Sequence, residues 1–204
     1  MEKKYCALSF DDGPNVTTTV RMLDVLEKHG VTASFFILGK NIGPQTEGVI
    51  GRMVRMGCTV ENHSFSHSHM TRMDAGAIAD EVAKTSRLIH ECTGRMPEFF
   101  RPPFIDVDEK VYSSVDLPFI EGKNCLDWDG TVSAERRHEM IMDFISDGTI
   151  FLLHDFEEND ATVEVVDRII PELKNMGYAF VTVPELFAIK KVDPKVRGKL
   201  WSQV

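Results

Sequence analysis

This chain of 204 residues is short of positive charge, poor in cysteine and without any long apolar run. Each shortage excludes something. Lys and Arg number 23 against 32 Asp and Glu, a formal charge of -9 at pH 7. A nucleic-acid groove and an anionic membrane are therefore poor partners, and a neutral substrate suits the chain better. The four cysteines, Cys6, Cys58, Cys92 and Cys125, are far apart and never fall at CxxC spacing. No disulfide framework is expected at this size and density, and Cys6 and Cys58, in apolar strand-like contexts, read as buried free thiols. No stretch is long enough to span a bilayer, and Met1-Glu2-Lys3-Lys4 lacks the apolar centre of a secretory signal. The chain as it stands is expected in the cytoplasm, or outside the cell if a leader was removed. Linkers, internal repeats and low-complexity runs are also missing, and nothing indicates an obligate protein partner. One domain over 1–204 is expected, its core at about 5–188 and a short basic tail after it.

What is present is enough apolar material for a core, 43% of the chain, arranged in alternating periods. Strands are predicted at Tyr5 to Phe10, Val31 to Leu38, Thr149 to Leu153 and Ala179 to Val183, with two short ones between Asp116 and Trp128. Helices are predicted over Thr18 to His29, Glu47 to Met56, Asp74 to Cys92, from Ser133, over Thr162 to Met176 and over Pro184 to Ile189. Repeated β-then-α units imply a parallel sheet covered by helices. Asp11-Asp12, His63, Arg101 and His154 all fall just after strands. That recurrence favours a barrel-like α/β fold with its chemistry at the carboxyl ends of the strands, although an open sheet would place its ligands similarly.

Two runs carry the strongest chemical signal. His63-Ser64-Phe65-Ser66-His67 places imidazoles at i and i+4, which face one point if the backbone between them makes a single turn. Ser9-Phe10-Asp11-Asp12-Gly13-Pro14 offers adjacent carboxylates that point in opposite directions on an extended segment. One carboxylate would then complete a three-ligand site with an open position, and the other would be free as a base. Zinc, cobalt and nickel all suit two imidazoles and one carboxylate. The competing readings are an Asp-Gly-Pro turn and solvated loop histidines, and His69 gives the second some weight. His154, after an apolar strand, is placed to act as a general acid. Taken singly, His154, Arg101 and Asp127-Trp128 are better explained as a half-buried histidine, a surface ion pair and an acid beside a core indole.

In this order the motifs resemble those of the polysaccharide deacetylases of the NodB-homology type, carbohydrate esterase family four. Ser9–Pro14 is similar to the first motif, His63–His67 to the second, Arg101-Pro102-Pro103-Phe104 to the third, Asp127-Trp128 to the fourth and Leu152-Leu153-His154 to the fifth. Together they cover roughly residues 5 to 188. The resemblance implies a distorted (β/α) barrel with fewer than eight regular units and one divalent metal ion, zinc first, held by Asp12, His63 and His67. It implies Asp11 as general base oriented by Arg101, and His154 as general acid tuned by Asp127. Trp128 and Leu152 would wall the acetyl pocket, and the backbone N–H of Phe104, where a tyrosine is usual, would help to hold the oxyanion. The implied substrate is an acetylated oligo- or polysaccharide. Segments around Asp116–Phe119, Asp127-Trp128 and 169–187 look most like the acetylxylan esterase branch, which removes O-acetyl groups. The alternatives are an N-deacetylase of chitin, chito-oligosaccharide or peptidoglycan and a non-catalytic carbohydrate-binding relative. A glycosidase using Asp11 and Asp127 would leave the histidine pair without a purpose.

Overall fold

A computed structural model describes residues 3–204. Its first strand comes in two pieces, β1 (Lys4–Ala7) and β2 (Ser9–Asp11), interrupted at Leu8. Then follow α1 (Thr18–His29), β3 (Ser34–Ile37), α2 (Glu47–Arg55) and β4 (Thr59–Asn62). The second half brings α3 (Ala75–Thr93), α4 (Glu109–Ser114), β5 (Phe119–Ile120), β6 (Lys123–Asn124) and α5 (Ala134–Phe144). It ends with β7 (Thr149–His154), α6 (Asp160–Asn175), β8 (Tyr178–Phe180), α7 (Val183–Lys190) and β9 (Leu200–Trp201). No helix among the described residues is long and apolar enough to cross a membrane.

The named strands pair in parallel throughout. β7 runs beside both pieces of the first strand in one register, from Cys6 opposite Thr149 to Asp11 opposite His154. The far edge of that first strand is divided: β1 pairs with β8, and β2 pairs with β3. β3 carries β4, and from there the ring continues through single-residue bridges, Asn62 to Phe100 and Phe100 to Phe119. The segment of β5 and β6 then returns to β7. The bridges close the ring, so the fold is the distorted (β/α) barrel with fewer than eight regular units rather than an open sheet.

Burial on both faces explains the unbroken apolar character of these strands. Phe10, Phe35, Phe151 and Leu153 are fully buried, in one cluster with Leu23 and Leu26 of α1, Ile50 of α2 and Ile169 and Ile170 of α6. All four cysteines are free, as read from their spacing. Burial pushes the Cys58 thiol up to about 11 and the Cys125 thiol up to about 12, so neither is a nucleophile at neutral pH.

Several boundaries moved for local reasons. Asp74 and Ser133 stand outside their helices as N-caps, accepting the N–H of Ala77 and Arg136, which satisfies donors the first turn leaves free. α4, capped by Asp108, went unpredicted. The tail read as polar holds β9, whose Trp201 carbonyl accepts the N–H groups of Glu121 and Gly122. Gly122 itself has φ +90, and a Cβ there would lie 2.9 Å from Leu152 and 3.1 Å from the Arg101 guanidinium. Only glycine lets the chain turn between β5 and β6 that close to the site.

Candidate active site

β2 delivers Asp11 at its carboxyl end, and the strand stops there. Asp12 adopts φ 75, a left-handed conformation. The two carboxylates therefore do not diverge as on an extended segment: Asp11 Oδ2 lies 3.7 Å and Asp12 Oδ1 3.5 Å from the same His63 Nε2. The physical reason for this correction is the turn at Asp12, which ends the alternation that the opposite-facing reading assumed. The chain bends tightly beyond it, because a Cβ on Gly13 would lie 2.7 Å from the buried Asp155 carboxylate.

β4 delivers His63. Its Nδ1 meets the Arg101 carbonyl at 2.7 Å, an acceptor that fixes the ring with the proton on Nδ1 and Nε2 free. His67 arrives by an irregular turn with positive φ at Ser64 and His67, not by a helical one, and its Nε2 lies 3.3 Å from Asp12 Oδ1. Asp12, His63 and His67 each offer a ligand atom within 4.8 Å of the others.

The fit of these residues to a cation rests on one atom. Asp12 Oδ1 is buried without a hydrogen-bond partner, which costs free energy unless something positive meets it. Four-coordinate zinc with bonds of ~2.0–2.1 Å needs neighbouring donors about 3.3–3.4 Å apart. The distances of Asp12 Oδ1 from His67 Nε2 and His63 Nε2, 3.3 and 3.5 Å, suit that shell. Burial alone would raise the Asp12 carboxyl, but the imidazoles of His63, His154 and His67 around it bring it down to about 2. Burial and the charge of His63 lower the His67 imidazole. Both groups are thus in the state that binds metal.

Asp11 is set apart from this trio by Arg101. The guanidinium is fully buried, donates to Asp11 Oδ1 at 2.6 Å and to Ser9 Oγ at 2.8 Å, and lies 4.2 Å from the Phe36 ring centroid. On the other wall, β7 delivers His154. Its Nδ1 lies 2.8 Å from Asp127 Oδ1 while its backbone N–H donates to Asp127 Oδ2 at 2.7 Å. Burial disfavours a charged imidazole, yet the buried Asp127 beside it and the carboxylates of Asp11 and Asp12 push His154 up to about 9.

The rim is apolar. Phe104 is held at φ 58, 57% exposed, with its ring stacked on His69 at 4.1 Å and edge-on to His67 at 4.5 Å. The N–H groups of Ile105 and Asp106 close the turn on the carbonyls of Pro102 and Pro103, which leaves the Phe104 N–H outside that bonding. Trp128, 50% exposed, lies edge-on to His154, and Leu152 is buried in β7. All ten residues singled out in the sequence therefore gather at one end of the barrel.

A layer of residues that the motifs do not include stands behind them. Arg137, on α5, is 2% exposed and donates to Asn159 Oδ1 and Thr162 Oγ1, both at 2.8 Å. Thr162 in turn donates to Asp127 Oδ2 at 3.0 Å, and Asn159 to the His154 carbonyl at 2.9 Å. Arg137 also binds the carbonyls of Asp129 and Val132, bracing the loop that carries Trp128. Asp155, fully buried beside Thr19, is pushed up to about 7 by desolvation and by Asp12 and Asp11.

An open three-ligand centre flanked by an Arg-paired acid and an Asp-paired imidazole, at the carboxyl mouth of a parallel barrel, defines the layout of a metal-dependent hydrolase. The chain belongs to the polysaccharide deacetylase family, whose profile matches residues 1–118. It is 45% identical over 202 residues to a bifunctional xylanase/deacetylase of Pseudobutyrivibrio xylanivorans, covering 99% of this chain but spanning only 33% of that protein. The Xyl-CE4 domain of a multidomain xylanase from the hindgut metagenome of Trinervitermes trinervoides superposes with a TM-score of 0.97 at 44% identity, covering 99% of this chain and 98% of that one. A family 4 acetyl xylan esterase from Clostridium thermocellum, solved with a cobalt ion, gives 0.95 at 41% identity over 98% of this chain and 99% of its own.

Proposed function

We propose that this chain is a metal-dependent carbohydrate deacetylase that removes O-acetyl groups from xylan or xylo-oligosaccharides. The observation that carries the reading is the partnerless Asp12 Oδ1 facing two imidazoles, with Asp11 held aside by Arg101. The three xylan-linked relatives support xylan as the substrate.

Asp12, His63 and His67 are the residues that would hold the cation, zinc first and cobalt or nickel as alternatives. Bound there, a divalent cation supplies Lewis acidity towards the acyl oxygen and lowers the pKa of water from ~15.7 towards ~7 for zinc. The chain's own groups do the rest. Asp11, fixed by the Arg101 guanidinium, takes the proton from the attacking water. The Phe104 N–H donates to the oxyanion that develops on the acyl oxygen. Trp128 and Leu152 enclose the acetyl methyl. His154, carrying a proton on Nε2 because Asp127 holds the one on Nδ1, protonates the leaving sugar oxygen. One water is consumed and one acetate released.

The test is acetate release from a panel of O-acetylated xylo-oligosaccharides and N-acetylated glucosamine oligomers, before and after chelation. Acetate from the xylan arm is expected to vanish with chelator and to return with added zinc, cobalt or nickel. Full activity in protein shown to be metal-free would sink the metal role, and release from the N-acetyl arm alone would replace xylan by an N-acetylated glycan.

The layer behind the acid gives a finer expectation. Thr162→Val keeps shape but leaves Asp127 Oδ2 without its hydroxyl donor, the kind of loss that costs ~1–3 kcal/mol. Turnover should fall roughly tenfold, at unchanged metal content by atomic absorption. Wild-type kcat in this variant would remove Arg137 and Thr162 from the account of the acid.

A further inference from the structure

The turn that carries His67 is held largely from outside its own motif. Among the described residues, the four successive N–H groups from Ser64 to His67 all donate to side-chain oxygens and none to a backbone carbonyl. The Ser64 N–H meets Asn62 Oδ1 at 2.8 Å and the His67 N–H meets Ser64 Oγ at 3.2 Å, both local bonds. The other two, of Phe65 and Ser66, converge on a single atom, Glu81 Oε2, at 2.9 and 2.7 Å. Glu81 is half-buried on α3, and Lys84 of the same helix sits 3.3 Å from the Phe65 ring centroid. From the opposite side, the N–H groups of Gly39 and Lys40 donate to the Ser64 and Phe65 carbonyls, each at 3.0 Å.

This hold bears on the site because the turn is not one the backbone would choose. Ser64 and His67 have φ 65 and 63, a left-handed form that residues other than glycine keep only where their surroundings impose it. The His63 ring needs no such help, since the Arg101 carbonyl already fixes it. The His67 ring depends on the turn for its place 3.3 Å from Asp12 Oδ1. Without Glu81, two adjacent N–H groups lose their acceptor and the turn is free to relax to commoner dihedrals, taking the ring with it. We propose that Glu81 is a positioning residue for the cation site, orienting the His67 imidazole towards Asp12 and His63. This rests on the reading of Asp12, His63 and His67 as ligands. Two other roles for the same carboxylate, attracting a cation by its charge or merely tying α3 to the barrel, lead to different results.

The first readout is zinc affinity, measured by competition with a chromogenic chelator. Glu81→Gln keeps an acceptor oxygen at the same reach and loses the charge, whereas Glu81→Asp keeps the charge and withdraws the oxygen by one methylene. Positioning predicts that Glu81→Gln binds zinc more tightly than Glu81→Asp. Glu81→Ala should weaken binding by ~10–100-fold, the usual effect of losing a group that orients a ligand. The reverse order of the Gln and Asp variants, or wild-type affinity in both Glu81→Asp and Glu81→Ala, would overturn the proposal. The second readout needs no metal. In metal-free protein the Cε1–H resonance of His67 should shift in Glu81→Asp and Glu81→Ala, while that of His154, on β7, stays. Lower stability in urea with the His67 resonance unmoved would reduce Glu81 to a tie between α3 and the barrel. A wild type that takes up no zinc, with the His67 shift present in the variants, would strike the metal reading and leave the orientation of His67 by Glu81 standing.

Discussion

His154→Ala is expected to reduce acetate release by ~10²–10⁴-fold, the usual worth of a positioned acid, while the protein keeps its metal. His67→Ala should lose both. The difference follows from what each ring touches: His67 Nε2 faces Asp12 Oδ1 at 3.3 Å, whereas His154 Nδ1 is committed to Asp127 at 2.8 Å. Metal analysis beside initial rates on acetylated xylo-oligosaccharide decides it, and equal metal loss in the two variants would refute the division. The same pair sets a pH limit. The imidazole is charged in the folded protein up to about 9, against an ordinary value of 6.5. The charged pair's contribution to stability is therefore complete below about 6.5 and is lost as pH rises through about 9. Activity needing the protonated acid must decline on the same alkaline side. With a cation bound beside Asp12 the limb lies lower, because a second positive charge is then disfavoured. Asp127→Asn removes the main cause of the upward shift, so its alkaline limb should move to lower pH. A limb that stays in place would assign it to another group.

Arg101→Met should be the most damaging substitution for the fold. It leaves the Asp11 carboxylate, 2% exposed, without its cation. Breaking a buried pair on one side typically costs ~3–5 kcal/mol, a large share of the ~5–15 kcal/mol that holds a domain together. The double variant Arg101→Met, Asp11→Asn removes the orphaned charge as well and should recover part of the loss in urea unfolding. Ser9 Oγ and the Phe36 ring also lose contacts, so recovery is not complete. A single variant as stable as wild type would mean that Asp11 is carried by something other than Arg101.

Much of this was legible in the chain. The pairing of His63 and His67 with one carboxylate came from motif chemistry, the choice of Asp12 from the family resemblance, and the strands ahead of Asp11 and His154 from apolar periods; ahead of Arg101, where a strand was expected, only the one-residue bridge at Phe100 forms. What was not legible is long-range or too short for a period. Arg137 looks like any helical arginine until the fold brings Thr162 and Asn159 against it, 25 and 22 residues on. α4 has six residues, less than two turns, and β9 two, inside a basic stretch. The sense of the Asp11-Asp12 pair was misjudged because a left-handed aspartate is rare enough that the extended form is the natural default.

The closure at Phe100 has a mechanical meaning. Around most of the ring, neighbouring strands share a ladder of two or more residues, while here one residue on each side completes the circle. Arg101 follows at once, and His63 leans on its carbonyl. With so few ladder bonds at this seam, side chains carry the closure: the Arg101 guanidinium reaches from it to Asp11 and Ser9 on β2 and ties the two walls of the barrel together.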